Sequence, residues 1–536
     1  MVTAMTNRPP VQPQSAGPRP TAGVRQWIGL AVLVLPALLV SMDMSVLLFA
    51  MPFVSADLRP TGTEMLWILD IYGFLLAGLL ITMGSLGDRV GRRKLLIFGA
   101  IVFGGASVLA AYSPSPELLI AARALLGIGG ATLAPSTLAL IRAMFTDAGQ
   151  RRTAVGIWTA GFAGGGALGP IIGGVLLEQF WWGSVFLLNV PVMVLLVVLA
   201  PMLLPEYRDP NATGFDLISA VLSLAAILPA IYGIKEIAEY GLSWAAVAAL
   251  ALGVVVGAFF LRRQRRGRAP LIDLDLFRAR PFSAALLANT LTMFAMFGVM
   301  LYSAQFVQLV LGFRPLTAAL ASLPGFLAMP IGITAAMLIV RRVRPGFVVA
   351  GGLATAAVGM ALLTTVTADT GLVQLIGLSA VMVGGIGAVT ALANDMIIGT
   401  APPERAGSAS ALSETGAEFG GALGMAVLGS VGTAVYRTQV LDDAPGAVPD
   451  AAVQAAGDTR GAAQEVAGTL PGELAGPLLD VADQAFAAGL RMTVLTGAVI
   501  MTIAAVLAAV MLRRVRQADL AAAAADRDGS DQPQPA

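Results

Sequence analysis

Cysteine and histidine are both missing from this 536-residue sequence. Their absence excludes disulfides, cysteine-based metal sites and every histidine-based catalytic or metal motif. Proton chemistry, if there is any, must run on carboxylates. Charge is scarce too: 12% of residues are Asp, Glu, Lys or Arg, where a soluble globular chain carries about 25%. The net charge is +1, so no bulk field attracts nucleic acid. Lysine occurs only at Lys94 and Lys235. No G-x-x-x-x-G-K-[ST] phosphate loop appears, so ATP is not the direct driver of any work done. No cofactor and no metal are expected.

What is present is apolar. Hydrophobic residues make up 57% of the chain and the mean hydropathy is +0.81. A hydrocarbon core about 30 Å thick needs roughly 20 apolar residues as a helix. About fourteen such runs can be read, from 27–52 and 65–86 through 407–436 and 486–512. The expected fold class is an all-α integral membrane protein with fourteen transmembrane helices. The Pro-rich polar stretch 1–26 reads as a disordered tail. It is too long and too proline-broken to begin a cleaved signal peptide, so the first span is retained.

Arginines set the orientation. They follow spans two (Arg89, Arg92, Arg93), four (Arg151, Arg152), eight (residues 262–268), ten (Arg341, Arg342, Arg344) and fourteen (Arg513, Arg514, Arg516). All fall on one side, which is expected to be cytoplasmic and to carry both tails. The opposite connections are short except 437–485, an acidic, Ala- and Gly-rich segment that reads as a solvated loop with some amphipathic helix.

Three glycine-bearing motifs lie on successive spans. "GSLGDRVGRRK" (84–94) joins spans two and three; Gly84 would let helices approach, Asp88 would face a helix N-terminus, and Arg92 and Arg93 would pair with acids or lipid phosphates. "RALLGIGGATLAPS" (123–136) puts Arg123 inside a span, where an arginine is costly and functional by default. "GGALGPIIGG" (165–174) combines Gly165, Gly169, Pro170, Gly173 and Gly174, a helix bend with close backbone contact.

With these motifs in this order, the sequence resembles the major facilitator superfamily. Residues 84–94, 123–130 and 165–174 match its loop, span-four and antiporter motifs. Together with "MLWILDIYGFLLAG" (65–78) and "APLIDLDLF" (269–277), they resemble its fourteen-span drug:proton antiporter branch, and within it the quaternary ammonium compound efflux proteins. The resemblance implies two six-helix bundles (27–206 and 266–512, the latter with external loop 437–485), two additional helices between them (207–265) and a C-terminal tail (513–536). It implies a multi-pass protein of a bacterial cytoplasmic membrane that works as a monomer. Its partners would be protons, lipophilic cationic drugs and dyes, and membrane lipid. Gly84, Asp88, Arg89, Gly91, Arg92 and Arg93 would form the conformational switch. An internal repeat is faint: "VRRVRPGF" (340–347) echoes the loop motif without its acid.

Ionisable residues inside spans are the candidate site. Asp43 stands in "LLVSMDMSVLLFAMP" (38–52), about sixteen residues and roughly 24 Å into span one. The resemblance implies that it faces a cavity and binds protons and cations in turn. Asp70 and Arg123 lie at similar depth and could pair, linking proton site to hinge. Glu414 and Glu418, four apart in span thirteen, share one helix face. Lys235 and Glu236, near the end of span seven, are expected to snorkel to the interface. Asp395 lies near the end of span twelve. Trp67, Tyr72, Trp158, Phe162, Phe294, Phe297 and Phe306 could stack on flat cations, with Met300 as a soft neighbour. The expected function is a proton-coupled multidrug efflux antiporter for lipophilic, mostly cationic compounds. The rivals are a dedicated exporter of one antibiotic or metabolite and a lipid-handling transporter.

Overall fold

The computed structural model describes residues 22–208, 216–266, 272–402, 405–513 and 515. Most of both expected tails, the end of the arginine run 262–268 and the start of "APLIDLDLF" lie outside the described residues. The first helices are α1 (Val24–Leu58), α2 (Gly62–Val90), α3 (Arg92–Ala111), α4 (Pro116–Met144), α5 (Ala148–Gln179), α6 (Ser184–Leu187) and α7 (Asn189–Leu203). There follow α8 (Leu217–Tyr240), α9 (Trp244–Arg266), α10 (Arg280–Gln305), α11 (Pro315–Ile339), α12 (Pro345–Leu363) and α13 (Leu372–Thr400). The last are α14 (Ala406–Asp443), α15 (Asp450–Asp458), α16 (Arg460–Thr469) and α17 (Gly472–Met511). Among the described residues, 14 helical segments are long and apolar enough to cross a membrane, with α6 and α7 counting as one span.

Local chemistry sets the breaks. Thr61 caps α2 reciprocally: its hydroxyl accepts from the Glu64 N–H (3.2 Å), and the Glu64 carboxylate accepts from the Thr61 N–H (2.8 Å). Gly91 separates α2 from α3 at φ 119°, a conformation that only glycine adopts readily.

Packing sorts the helices into two six-span bundles. The first has α1 on α5, α4 on α2 and α3, and α7 on α3. The second has α14 on α10 and α17, and α13 on α11 and α12. α8 and α9 pair with each other, and α8 also touches both α2 and α14. The bundles meet along α2–α14 and α5–α11. One end of the molecule carries the arginine-bearing connections and is called here the basic face. The other carries α15 and α16 and is called the hairpin face.

The 437–485 segment, expected to be a solvated loop with some amphipathic helix, contains the helix but is more ordered than a loop. α14 runs on to Asp443, α17 starts at Gly472, and α15 and α16 fill most of the interval. At 1.5 Å per residue, a helix of 38 residues is about 57 Å long, well beyond the hydrocarbon core. Tyr436 donates to the Ala456 carbonyl (2.9 Å), Arg437 pairs with Asp458 (2.7 Å) and Arg460 with Asp483 (2.6 Å), so the hairpin is folded against α14 and α17.

Candidate functional site

α1 and α5 bring Asp43 into the interior. The α5 motif packs glycine on α1: a β-carbon on Gly165 would collide with the Leu38 carbonyl, one on Gly169 with Ser45 and Met42, and one on Gly173 with Val46. Gly174 alone of the set faces the other bundle, where a β-carbon would lie 2.6 Å from Leu316 Cα of α11. Pro170 sits inside α5 without ending it.

Asp43 is 2% exposed and its carboxylate is ion-paired with Arg123 of α4. Arg123 is fully buried; its Nε donates to the Ile68 carbonyl (3.0 Å), and its guanidinium carbon lies 4.6 Å from the Tyr72 ring centroid. The remaining Nη2 is buried without a hydrogen-bond partner. Asp70, expected to pair with Arg123, pairs instead with Lys235 of α8, at 2.8 and 3.0 Å to its two oxygens. Similar depth put Asp70 and Arg123 near each other, but helix azimuth decides contact: α2 turns Asp70 toward α8. The snorkelling expected of Lys235 is likewise overturned. It is 1% exposed, with its ammonium 4.0 Å from the Trp67 ring centroid, because α8 is covered there by α2 and α14. Breaking either buried pair by removing one partner costs about 3–5 kcal/mol, since a bare charge is left behind.

Glu414 and Glu418 present the opposite situation. Residues 414, 418, 422 and 426 form one stripe along α14, four residues apart. Ala422 in that stripe meets α2, where its Cβ would be 3.0 Å from a β-carbon on Gly73. The stripe therefore faces the first bundle. Gly416, Gly420 and Gly424, displaced by about 200° around the helix, pack on Thr290 and Phe294 of α10. Two residues fix the helix just ahead of the acids: Asn289 donates to the Ser413 carbonyl (3.3 Å) and the Ser413 hydroxyl bonds the Asn394 side chain (3.2 Å). Both glutamates are half-buried, and among the described residues neither forms an ion pair or hydrogen bond. The Thr415 hydroxyl between them is buried and also lacks a partner.

Tyr72 connects the two sets. Its hydroxyl donates to the Val40 carbonyl (3.1 Å), and it lies within electrostatic reach of Asp43, Arg123 and Glu418. The sequence marked it only as a stacking surface. Toward the hairpin face an apolar cavity opens between α10, α11 and α13, lined by Phe49, Met296, Met300, Ser303, Ser322 and Ser379 among others. Met300 is thus placed on a cavity wall. Trp158 and Phe162 stack on each other (5.8 Å), while Phe294 and Phe306 are buried in the second bundle.

At the α2–α3 break, Asp88 at the end of α2 accepts from Arg92 Nε at the start of α3 (2.8 Å), so the pair bridges the break. Arg93 bonds the Leu204 carbonyl (3.0 Å) and approaches Glu206 (3.6 Å). Arg89 is exposed. A β-carbon on Gly84 would make only ordinary contact with Pro135 (3.8 Å), so close helix approach does not depend on it. Asp395 is exposed near the basic face.

The sequence profile described as Major Facilitator Superfamily matches residues 33–425. The chain is 45% identical over 490 residues to a protein named "Multidrug efflux pump LfrA" from Mycolicibacterium smegmatis, covering 91% of this chain and 97% of that one. It is 35% identical over 465 residues to "Methyl viologen resistance protein SmvA" from Salmonella typhimurium (86% and 93% covered). It is 35% identical over 448 residues to "Puromycin resistance protein pur8" from Streptomyces alboniger (82% and 87% covered). Among solved structures, a bacterial homolog to the human lysosomal transporter Spinster, inward-facing and occupied, superposes with a TM-score of 0.63 at 16% identity over 93% of this chain and 99% of that one. Fold, motifs and relatives agree: the chain is a membrane transporter, not an enzyme, and it belongs to the Major Facilitator Superfamily.

Proposed function

We propose that this protein is a drug efflux pump that exports lipophilic, mostly cationic compounds in exchange for protons, with its basic face in the cytoplasm. The observation that carries the reading is the pair Glu414 and Glu418: two half-buried carboxylates, one turn apart and, among the described residues, outside any ion pair, on the stripe of α14 that faces the first bundle, with Arg142 of α4 within electrostatic reach of Glu414. A carboxylate in such a place attracts a cation or holds a proton, and does one at the expense of the other. The apolar cavity between α10, α11 and α13, farther toward the hairpin face, has methionines and a phenylalanine that suit the carbon skeleton of such a compound. Relatives named for multidrug efflux and for methyl viologen resistance support the same reading.

In the proposed cycle Asp43 takes up and releases a proton while Arg123 changes its grip. The Asp88–Arg92 turn and the glycine seam of α5 let the first bundle tilt as a body. The bundles touch at mid-span through Gly73–Ala422 and nearer the hairpin face through Gly174–Leu316 and the hairpin itself, which favours entry of substrate from the basic face. The test is efflux of a cationic dye from reconstituted vesicles under an imposed pH gradient. Dye movement indifferent to the gradient would overturn proton exchange. A single exported antibiotic is the second reading, motivated by relatives named for puromycin resistance and for tetracenomycin C resistance and export. A panel of unrelated cations separates the two.

A further inference from the structure

Lys235 belongs to α8, one of the two spans outside the six-helix bundles, yet its ammonium reaches into the charged interior of the first bundle. It is held there by Asp70 and Trp67: both Asp70 oxygens lie within 3.0 Å and the Trp67 face covers it at 4.0 Å. Beyond Asp70 sit Arg123 and Asp43. Arg123 bonds the carbonyl of Ile68, two residues from Asp70, and keeps one buried N–H group without a partner. The four side chains make a buried array of two acids and two bases with no net charge. Remove Lys235, and two carboxylates are left with one cation, whose spare donor is free to turn to either.

We infer that Lys235 is a positioning residue for proton exchange: by holding Asp70 it leaves Arg123 committed to Asp43, so that one carboxylate of the two exchanges protons. The inference rests on the proton-exchange reading above. It gives the additional helix pair a task, the supply of a counter-charge to a site built from α1, α2 and α4. Among the described side chains, the charged groups on the helices packed against α2 are Arg123 in the middle of α4, with Glu117 and Arg142 nearer its ends; Lys235 and Glu236 of α8; Glu414 and Glu418 of α14, with Arg437, Asp442 and Asp443 at its hairpin-face end; and the Arg92–Lys94 run at the basic end of α3. Arg142 lies within electrostatic reach of Glu414. Along the middle of α1, the helices α5, α7 and α10 bring no charged side chain, and the charges of α16 meet α1 at its end, at Arg59.

The experiment compares cation-evoked proton release across pH in wild type, Lys235→Met, Lys235→Gln, Lys235→Arg and the double variant Asp70→Asn/Lys235→Met. Melting temperature is followed on the same preparations. Losing Lys235 leaves Asp43 to share its cation. The pH of half-maximal release is therefore expected to move up by about one unit, roughly tenfold in proton activity. Lys235→Gln, whose amide still donates to Asp70 but carries no charge, must move it in the same direction, and it keeps the test open if the methionine variant does not fold. The arginine variant and the double variant are expected to return the profile to that of wild type. A lowered melting temperature with an unmoved profile in both neutral single variants would reduce Lys235 to a structural pin and overturn the inference, as would a double variant still shifted like the single ones. Absence of proton release from wild type itself would instead sink the exchange reading, and the inference with it.

Discussion

Ser55 of α1 and Thr459, the N-cap of α16, share a hydrogen bond 2.8 Å long although 404 residues separate them. Thr459 also accepts from the Ala462 N–H (3.0 Å), and Gly461 lets the backbone come so near that an added β-carbon would lie 2.8 Å from the Ser55 hydroxyl. Arg59, one turn on, pairs with Glu465. These contacts tie the first bundle to a hairpin anchored on the second.

Closure of the hairpin face is expected to weaken in Ser55→Val and Thr459→Val. A hydrogen bond of this kind contributes about 1 kcal/mol, so the open population should rise roughly fivefold. Gln305, buried under the hairpin beside Thr459 and Arg460, is a reporter position. Because the chain has no cysteine, Gln305→Cys gives a single label site. Its modification rate by a membrane-impermeant maleimide should rise in both valine variants. Equal rates would mean that the hairpin is not part of the closure.

Glu414→Gln and Glu418→Gln should each depress transport of cations by about tenfold or more while sparing neutral compounds, since each removes a charge with little change of shape. Paired uptake assays with a cationic dye and an uncharged drug of similar size check this. A matched loss for both compounds would assign the glutamates to coupling or folding.

Asp43→Asn is expected to abolish proton release on adding a monovalent lipophilic cation. It also leaves Arg123 without its carboxylate, held only by the Ile68 carbonyl and the Tyr72 ring, and a buried guanidinium so stranded costs about 3–5 kcal/mol. The variant should therefore reach the membrane but melt earlier. Unchanged proton release would exclude Asp43 as the exchanging group and move that role to Glu414 or Glu418.

The α5 glycines should separate by direction. Gly174→Ala would wedge α5 from Leu316 across the bundle boundary and speed labelling at Gln305→Cys. Gly165→Ala presses on Leu38 within one bundle, and should lower stability by about 1–3 kcal/mol without changing that rate. Similar labelling in both would show that Gly174 is not at a moving boundary.

How much of this could be read in advance depended on whether a property is local. Fourteen spans were legible because a run of apolar residues long enough to cross hydrocarbon is a property of the run itself. The shared face of Glu414 and Glu418 was legible because helical spacing fixes it. Partners were not. Depth along a span can be counted, but the direction in which a side chain points depends on how its helix is rotated against its neighbours. That is why Asp70 was matched with Arg123 rather than with Lys235. Lys235 looked interfacial because it lies near the end of an apolar run, and nothing local reveals the two helices that cover it. Amphipathic helix within 437–485 was legible from its composition, but its docking was not, because that comes from tertiary contacts such as Tyr436 to Ala456.

α8 touches both bundles, but unequally. Toward α2 it offers a buried ion pair; toward α14 it offers an apolar surface in which Ile231 packs with Ala422 and Ala426. Apolar surfaces slide past one another at small cost, whereas a buried ion pair does not stretch. In the proposed cycle α8 and its companion α9 would therefore travel with the first bundle. The outward side of α9, with Val254, Val255 and Phe259 each at least 64% exposed, would then move against lipid with it. On that reading the membrane loads one half of the transporter more than the other, and a change of lipid chain length should alter the rate of tilting before it alters affinity for cargo.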